Sequence, residues 1–97
     1  MGPLTYEVRL TRRAEQHLER IHRYVARDSI RSADRMVLEI AAELGRLTRF
    51  PESGRVGRLE GTRELVIAGT PYVAVYRVRG LVVDVAGVFH GAQDPRQ

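Results

Sequence analysis

The chain has 97 residues, 43% of them hydrophobic and 29% charged, which predicts one domain over residues 1–97 built around one core. It has no cysteine, which excludes disulfides and Cys-based metal sites; Met1-Gly2-Pro3-Leu4-Thr5 carries no signal-peptide core and no apolar run approaches the roughly 20 residues that span a bilayer, so a cytoplasmic location without a membrane partner is expected. The formal net charge is +4 and all 16 basic residues are arginine, a side chain suited to bidentate contact with phosphate or carboxylate, so a nucleic acid or an acidic protein partner would fit.

Tyr6-Glu7-Val8-Arg9-Leu10 alternates apolar and charged side chains and predicts a short half-buried strand. Thr11 is the N-cap candidate for a helix on which Ala14, Leu18, Ile21 and Val25 form one apolar stripe, while Glu15, Gln16, Glu19, Arg20 and Arg23 take the wet side. Asp28-Ser29-Ile30-Arg31 has no period and reads as a short link, with Ser32 as the next N-cap candidate. From there Ala33, Met36, Val37, Ile40, Ala41, Leu44 and Leu47 mark a longer helical face, ended by Phe50-Pro51 because proline cannot continue the hydrogen-bond ladder. So short a link predicts an αα-hairpin whose two stripes face inward together.

Pro51 to Gly61 carries three glycines together with Arg55 and Arg58 and reads as a surface loop: either an ordinary connector or a place to bind phosphate or carboxylate. Three strand-length segments follow, Gly61–Ile67, Pro71–Val78 and Leu81–His90, rich in Val, Ile, Leu and Tyr and separated by Ala68-Gly69-Thr70 and Arg79-Gly80. Tight turns make these strands antiparallel neighbours. The predicted class is α+β, in the order β-α-α-β-β-β: a helical hairpin packed on one face of a small, mostly antiparallel sheet, with the other face left for function.

No metal-ligand spacing, Gly-rich phosphate loop or nucleophile elbow is present, so neither metal nor cofactor is expected. His17 and His22 lie off the first helix's apolar stripe and are expected at the solvated surface. His90 ends the last strand before Gly91, where an imidazole could serve as a general acid or base, or simply hydrogen-bond the neighbouring loop. Arg63 and Arg77 sit in predicted strands, where they either pair with Glu60, Glu64 or Asp84 or form a basic surface for an acidic ligand. Tyr72 and Tyr76, four apart, share one face of a strand, which favours core packing over base stacking.

Taken together, several segments resemble the RelE/ParE superfamily of bacterial type II toxin–antitoxin toxins: the first helix with Ala14, Leu18, Ile21 and Tyr24-Val25, the second ending in Phe50-Pro51, then Gly54-Arg55, Gly61-Thr62-Arg63-Glu64-Leu65, Pro71-Tyr72, Val75-Tyr76-Arg77-Val78, and Val88-Phe89-His90-Gly91-Ala92-Gln93-Asp94. The resemblance implies the same β-α-α-β-β-β fold, growth inhibition by the free toxin, and neutralisation by a cognate antitoxin whose C-terminal segment wraps it. It also implies one of two targets. RelE-like members are ribosome-dependent mRNA endoribonucleases, whereas ParE-like members poison DNA gyrase and are not known as nucleases.

His90 falls where some nuclease branches keep a catalytic histidine, and Arg63 and Arg77 would be its basic companions if the protein were an enzyme. Val73 instead stands where nuclease members carry an arginine, no lysine is available for the basic cluster, and Gly91 stands where one branch has tyrosine. ParE-like inhibition of gyrase, as in plasmid-stabilisation modules, is therefore favoured over the nuclease reading, with a non-toxic relative that only binds antitoxin as a third. The surface for target or antitoxin is expected among Arg55, Arg58, Arg63, Tyr76, Arg77 and His90.

Overall fold

The structure, a computed structural model, describes residues 5–96; Met1–Leu4, read above for a targeting signal, and Gln97 lie outside the described residues. The elements are β1 (Glu7–Leu10), α1 (Arg12–Ala26), α2 (Ile30–Gly45), β2 (Arg55–Val56), β3 (Arg63–Val66), β4 (Tyr72–Arg79) and β5 (Val82–His90). They form two helices packed on a five-stranded sheet of order β1-β5-β4-β3-β2, antiparallel except for the β1–β5 pair. The loop expected over residues 51–61 thus contributes a strand, Arg55–Val56, too short to show a period in the sequence.

Both helix starts are capped by side chains. The Thr11 hydroxyl accepts from the Ala14 N–H at 3.1 Å, as expected. The second cap is Ser29 rather than Ser32: its hydroxyl accepts from the Ser32 N–H at 3.1 Å, so α2 begins a turn earlier and the link shrinks to Arg27–Ser29. At its other end α2 stops at Gly45 and continues as a 3-10 turn, Arg46–Thr48, before Phe50-Pro51.

One junction fixes α1 against the sheet. Tyr76 stands opposite Val85 while Val75 stands opposite Gly87, so Ala86 is an extra residue in β5, a bulge. β1 ends opposite Val85, and from there α1 takes over the free edge of β5. The Thr11 N–H donates to the Val85 carbonyl at 3.0 Å, the Thr11 hydroxyl donates to the Ala86 carbonyl at 3.1 Å, and the Val88 N–H donates to His17 Nδ1 at 3.0 Å. Three groups on an otherwise unpaired edge are satisfied by one helix.

The core lies between hairpin and sheet, where Ala14 and Ile21 of α1 and Ile40, Leu44 and Leu47 meet Tyr72, Ala74, Tyr76, Val83, Val85 and Val88. Tyr72 and Tyr76 do share a face, and both are buried in this core. The second face is less open than expected: Glu64, Val73 and Val75, which alternate away from the helices, are buried, and so is Phe89 on the same face, where α1 reaches round the sheet edge to meet its ring. Arg58 Nη1 donates to the Gln93 carbonyl at 3.0 Å, which brings the loop before β3 and the C-terminal tail together over this side.

Candidate functional site

Two polar constellations flank the sheet. The first is a cleft of about 530 Å³ between α1 and the ends of β4 and β5. Arg13, Arg20 and Arg23 of α1 and Arg27 at its C-cap line it together with His17, Tyr24, Tyr72 and His90. None of these four arginines has an ion-pair partner among the described residues. Instead, the Arg13 guanidinium lies 5.5 Å from the Phe89 ring centre and that of Arg27 5.7 Å from the Tyr24 ring centre.

His90 is exposed, stands opposite Tyr72, and meets that ring edge-on with centres 6.1 Å apart. Its Nδ1 accepts from the Ala92 N–H at 3.2 Å, so the neutral ring carries its proton on Nε2. Its own N–H donates to the Gln93 side-chain oxygen at 3.0 Å. His17 is not at the solvated surface as expected from the sequence. It is buried with its ring 4.9 Å from Phe89, and burial first, then Arg13 and Arg20, pulls its pKa below the ordinary histidine value. The signal was present in the spacing, because Ala14, His17 and Ile21 recur at i, i+3 and i+7 and the helix buries a polar residue there against a sheet edge. His22 is half-buried and meets Asp34 of α2 at 2.8 Å.

The second constellation centres on Glu64, whose side chain is 1% exposed. Its carboxylate accepts from the Arg58 N–H at 2.9 Å, from Arg58 Nε at 3.1 Å and Nη2 at 3.3 Å, and from Arg55 Nη2 at 3.1 Å. Burial pushes the carboxyl up, but the hydrogen bonds from Arg58 and Arg55 outweigh it and hold the pKa below the ordinary glutamate value. The carboxylate that the arginines of the 51–61 loop bind is thus an internal one. Glu64 appeared in the sequence only as a partner for Arg63 or Arg77, and it pairs with neither.

Arg63 instead donates from Nη1 to the Gly54 carbonyl at 2.9 Å. Next to it Tyr76 is 0% exposed, donating to the Pro51 carbonyl at 2.7 Å and accepting from the Gly54 N–H at 2.9 Å. Its side chain offers no surface to a partner. Gly54 is required for this approach, since a Cβ there would come within 2.6 Å of the Tyr76 hydroxyl and 2.9 Å of the Glu64 carbonyl oxygen. Arg77 is half-buried opposite Asp84 and makes no ion pair among the described residues.

These positions do not assemble a three-residue catalytic group. Arg63 stands opposite Tyr76 and His90 opposite Tyr72, four residues along β4 or about 13 Å at strand spacing. Arg77 alternates to the other side of the sheet from His90. General acid–base chemistry requires hydrogen-bond reach, about 3 Å or one water. Among the described residues no cluster of His, Asp and Glu could hold a metal ion, and no helix is long and apolar enough to cross a membrane.

A helical hairpin packed on a five-stranded, mostly antiparallel sheet is also the fold of two solved structures from toxin–antitoxin systems. With a TM-score of 0.81 and 24% identity, the chain superposes on a structure from the chromosomal ParDE toxin–antitoxin system of P. aeruginosa, over 89% of this chain and 96% of that one. The toxin–antitoxin complex RelBE2 of Mycobacterium tuberculosis gives a TM-score of 0.66 at 24% identity, over 89% and 98%. In sequence, residues 8–95 match the family described as ParE toxin of type II toxin–antitoxin system, parDE. A Sinorhizobium fredii protein named as a candidate toxin, Y4kP, is 38% identical over 86 residues, 89% of this chain and 88% of that protein. The chain belongs to the ParE toxin family.

Proposed function

We propose that this toxin is a non-catalytic inhibitor of DNA gyrase in the cytoplasm, held inactive by a cognate antitoxin. The observation that carries the reading is the dispersal of His90, Arg63 and Arg77 over two faces and about 13 Å of the sheet, which leaves neither arginine beside His90. Val73 supports it. Where the resemblance puts an arginine in nucleases, this side chain is 4% exposed opposite Phe89, in a setting that suits an apolar group.

An antitoxin fits the second constellation. The β2 edge is open, Val56 and Val66 are exposed beside it, and the guanidiniums of Arg55 and Arg58 stay partly in water while bound to Glu64. An acidic segment that adds to this edge would gain main-chain hydrogen bonds and charge complementarity together. The solved relatives come from toxin–antitoxin systems, which is consistent with such a partner.

The alternative, a ribosome-dependent mRNA endoribonuclease, rests on one observation: His90 lies exposed in a cleft with four arginines. Induction of the protein in a bacterial host, with transcripts and plasmid supercoiling followed in parallel, tests both. The proposal expects relaxed plasmid and full-length transcripts. Transcripts cut within translated regions would establish the nuclease instead, and harmless overexpression that changes neither would leave a relative that only binds antitoxin.

A further inference from the structure

The cleft between α1 and the β4–β5 ends has a property that the proposed function does not use: it presents donors almost without acceptors. Four guanidiniums line it and, among the described residues, no carboxylate does. Both of its imidazoles spend Nδ1 as an acceptor for a backbone N–H, His17 for Val88 and His90 for Ala92, so each neutral ring keeps Nε2–H as its remaining polar group. The side-chain amide of Gln93, which also lines the cleft, has its oxygen occupied by the His90 N–H. A site so furnished takes an anion.

Its layout selects among anions. Arg20, Arg23 and Arg27 follow one another at i, i+3 and i+7, about 10 Å along the helix, a spacing for several consecutive negative groups rather than one. Arg13 continues the row and is steadied over Phe89. At the other end the Tyr24 ring is 65% exposed beside the Arg27 guanidinium, offering a flat face to a planar group. The volume, about 530 Å³, is that of a small-molecule site. Among the described residues no further arginine lines the cleft, and Asp28 follows Arg27 directly after α1, which limits the length of polyanion the row can neutralise.

From these features we infer that the cleft binds a free nucleoside polyphosphate, its phosphates along Arg20, Arg23 and Arg27 and its base against Tyr24. The inference stands apart from the gyrase reading, because binding is measured on the toxin alone.

The test is fluorescence anisotropy of the purified full-length toxin with a labelled nucleoside triphosphate, competed by unlabelled nucleoside triphosphate, nucleoside, inorganic triphosphate, a single-stranded oligonucleotide and an acidic peptide. Expected are saturable binding, competition by nucleoside triphosphate and more weakly by inorganic triphosphate, and none by nucleoside. Arg20→Gln with Arg23→Gln should weaken binding at least tenfold with an unchanged far-ultraviolet circular dichroism spectrum. Tyr24→Ala should weaken the nucleoside triphosphate but not inorganic triphosphate. No saturable binding, competition dominated by the oligonucleotide or the peptide, or folded arginine variants that bind as well as the parent would each overturn the inference.

Discussion

Replacing Glu64 with glutamine removes one charge from the point where β2, β3 and the loop between them are tied together, while preserving shape and one acceptor oxygen. The carboxylate takes four donor contacts at 2.9–3.3 Å from Arg58 and Arg55 with its own side chain 1% exposed. Removing one partner of a fully buried pair costs about 3–5 kcal/mol. Here the arginine side chains are 60% and 36% exposed and recover water, so the cost is nearer ~2 kcal/mol. At about 4–8 °C per kcal/mol for a domain of this size, thermal unfolding at pH 7 should move down by about 8–16 °C. The pH dependence gives the sharper test. Because the folded carboxyl titrates below its unfolded value, near 4.3, its contribution is complete above about pH 5 and is lost as pH falls through the folded value. The gap between parent and Glu64→Gln should therefore close in acid. A difference under about 0.5 kcal/mol at pH 7, the size of an ordinary surface substitution, or one that persists unchanged at pH 3, would refute the assignment of Glu64 as the tie.

Three further outcomes follow from the same geometry. Tyr76→Phe strands the buried Gly54 N–H and Pro51 carbonyl and should cost about 1–3 kcal/mol in urea unfolding. For His17→Gln, whose amide oxygen can still accept from Val88, parent and variant should differ by no more than about 1 kcal/mol at pH 7.5. Between about pH 6.5 and 5 the parent should lose stability relative to the variant, since the depressed folded pKa of His17 makes protonation favour the unfolded chain. If His90 does no proton transfer, His90→Ala should still arrest growth on induction, read as colony counts, and a harmless variant that still binds antitoxin would favour the nuclease.

The periodic parts of this fold were legible from residues alone. Most of the helical stripes end as core, with Ala41 of the second stripe exposed instead, the three C-terminal strands pair as antiparallel neighbours, and Thr11 caps α1, because each depends on local spacing or local hydrogen bonding. Two serines three residues apart, Ser29 and Ser32, both suit a helix start, and only the backbone of the link decides for the first. β2 escaped notice because two residues carry no period, and the Gly54 that precedes it packs against Tyr76, 22 positions away, too closely for a Cβ.

The site was harder to read because its decisive contacts are long-range. Val88 and His17 are 71 positions apart, and nothing local marks the edge that α1 covers. Glu64 was visible as an acid among arginines, yet its choice of Arg55 and Arg58 over Arg63 follows from strand alternation, which turns Glu64 away from the helices and leaves Arg63 to the carbonyl of Gly54. Charge composition indicated an acidic partner, and one acidic partner proved to be inside the chain.

The most direct test of the central claim pairs two reconstituted reactions with the same purified toxin: DNA gyrase supercoiling of a relaxed plasmid, and translation of a defined mRNA on ribosomes. The account predicts that supercoiling stops in proportion to added toxin, recovers when antitoxin is added, and that the mRNA stays full length. Unimpaired supercoiling together with ribosome-dependent cleavage of the mRNA would contradict it.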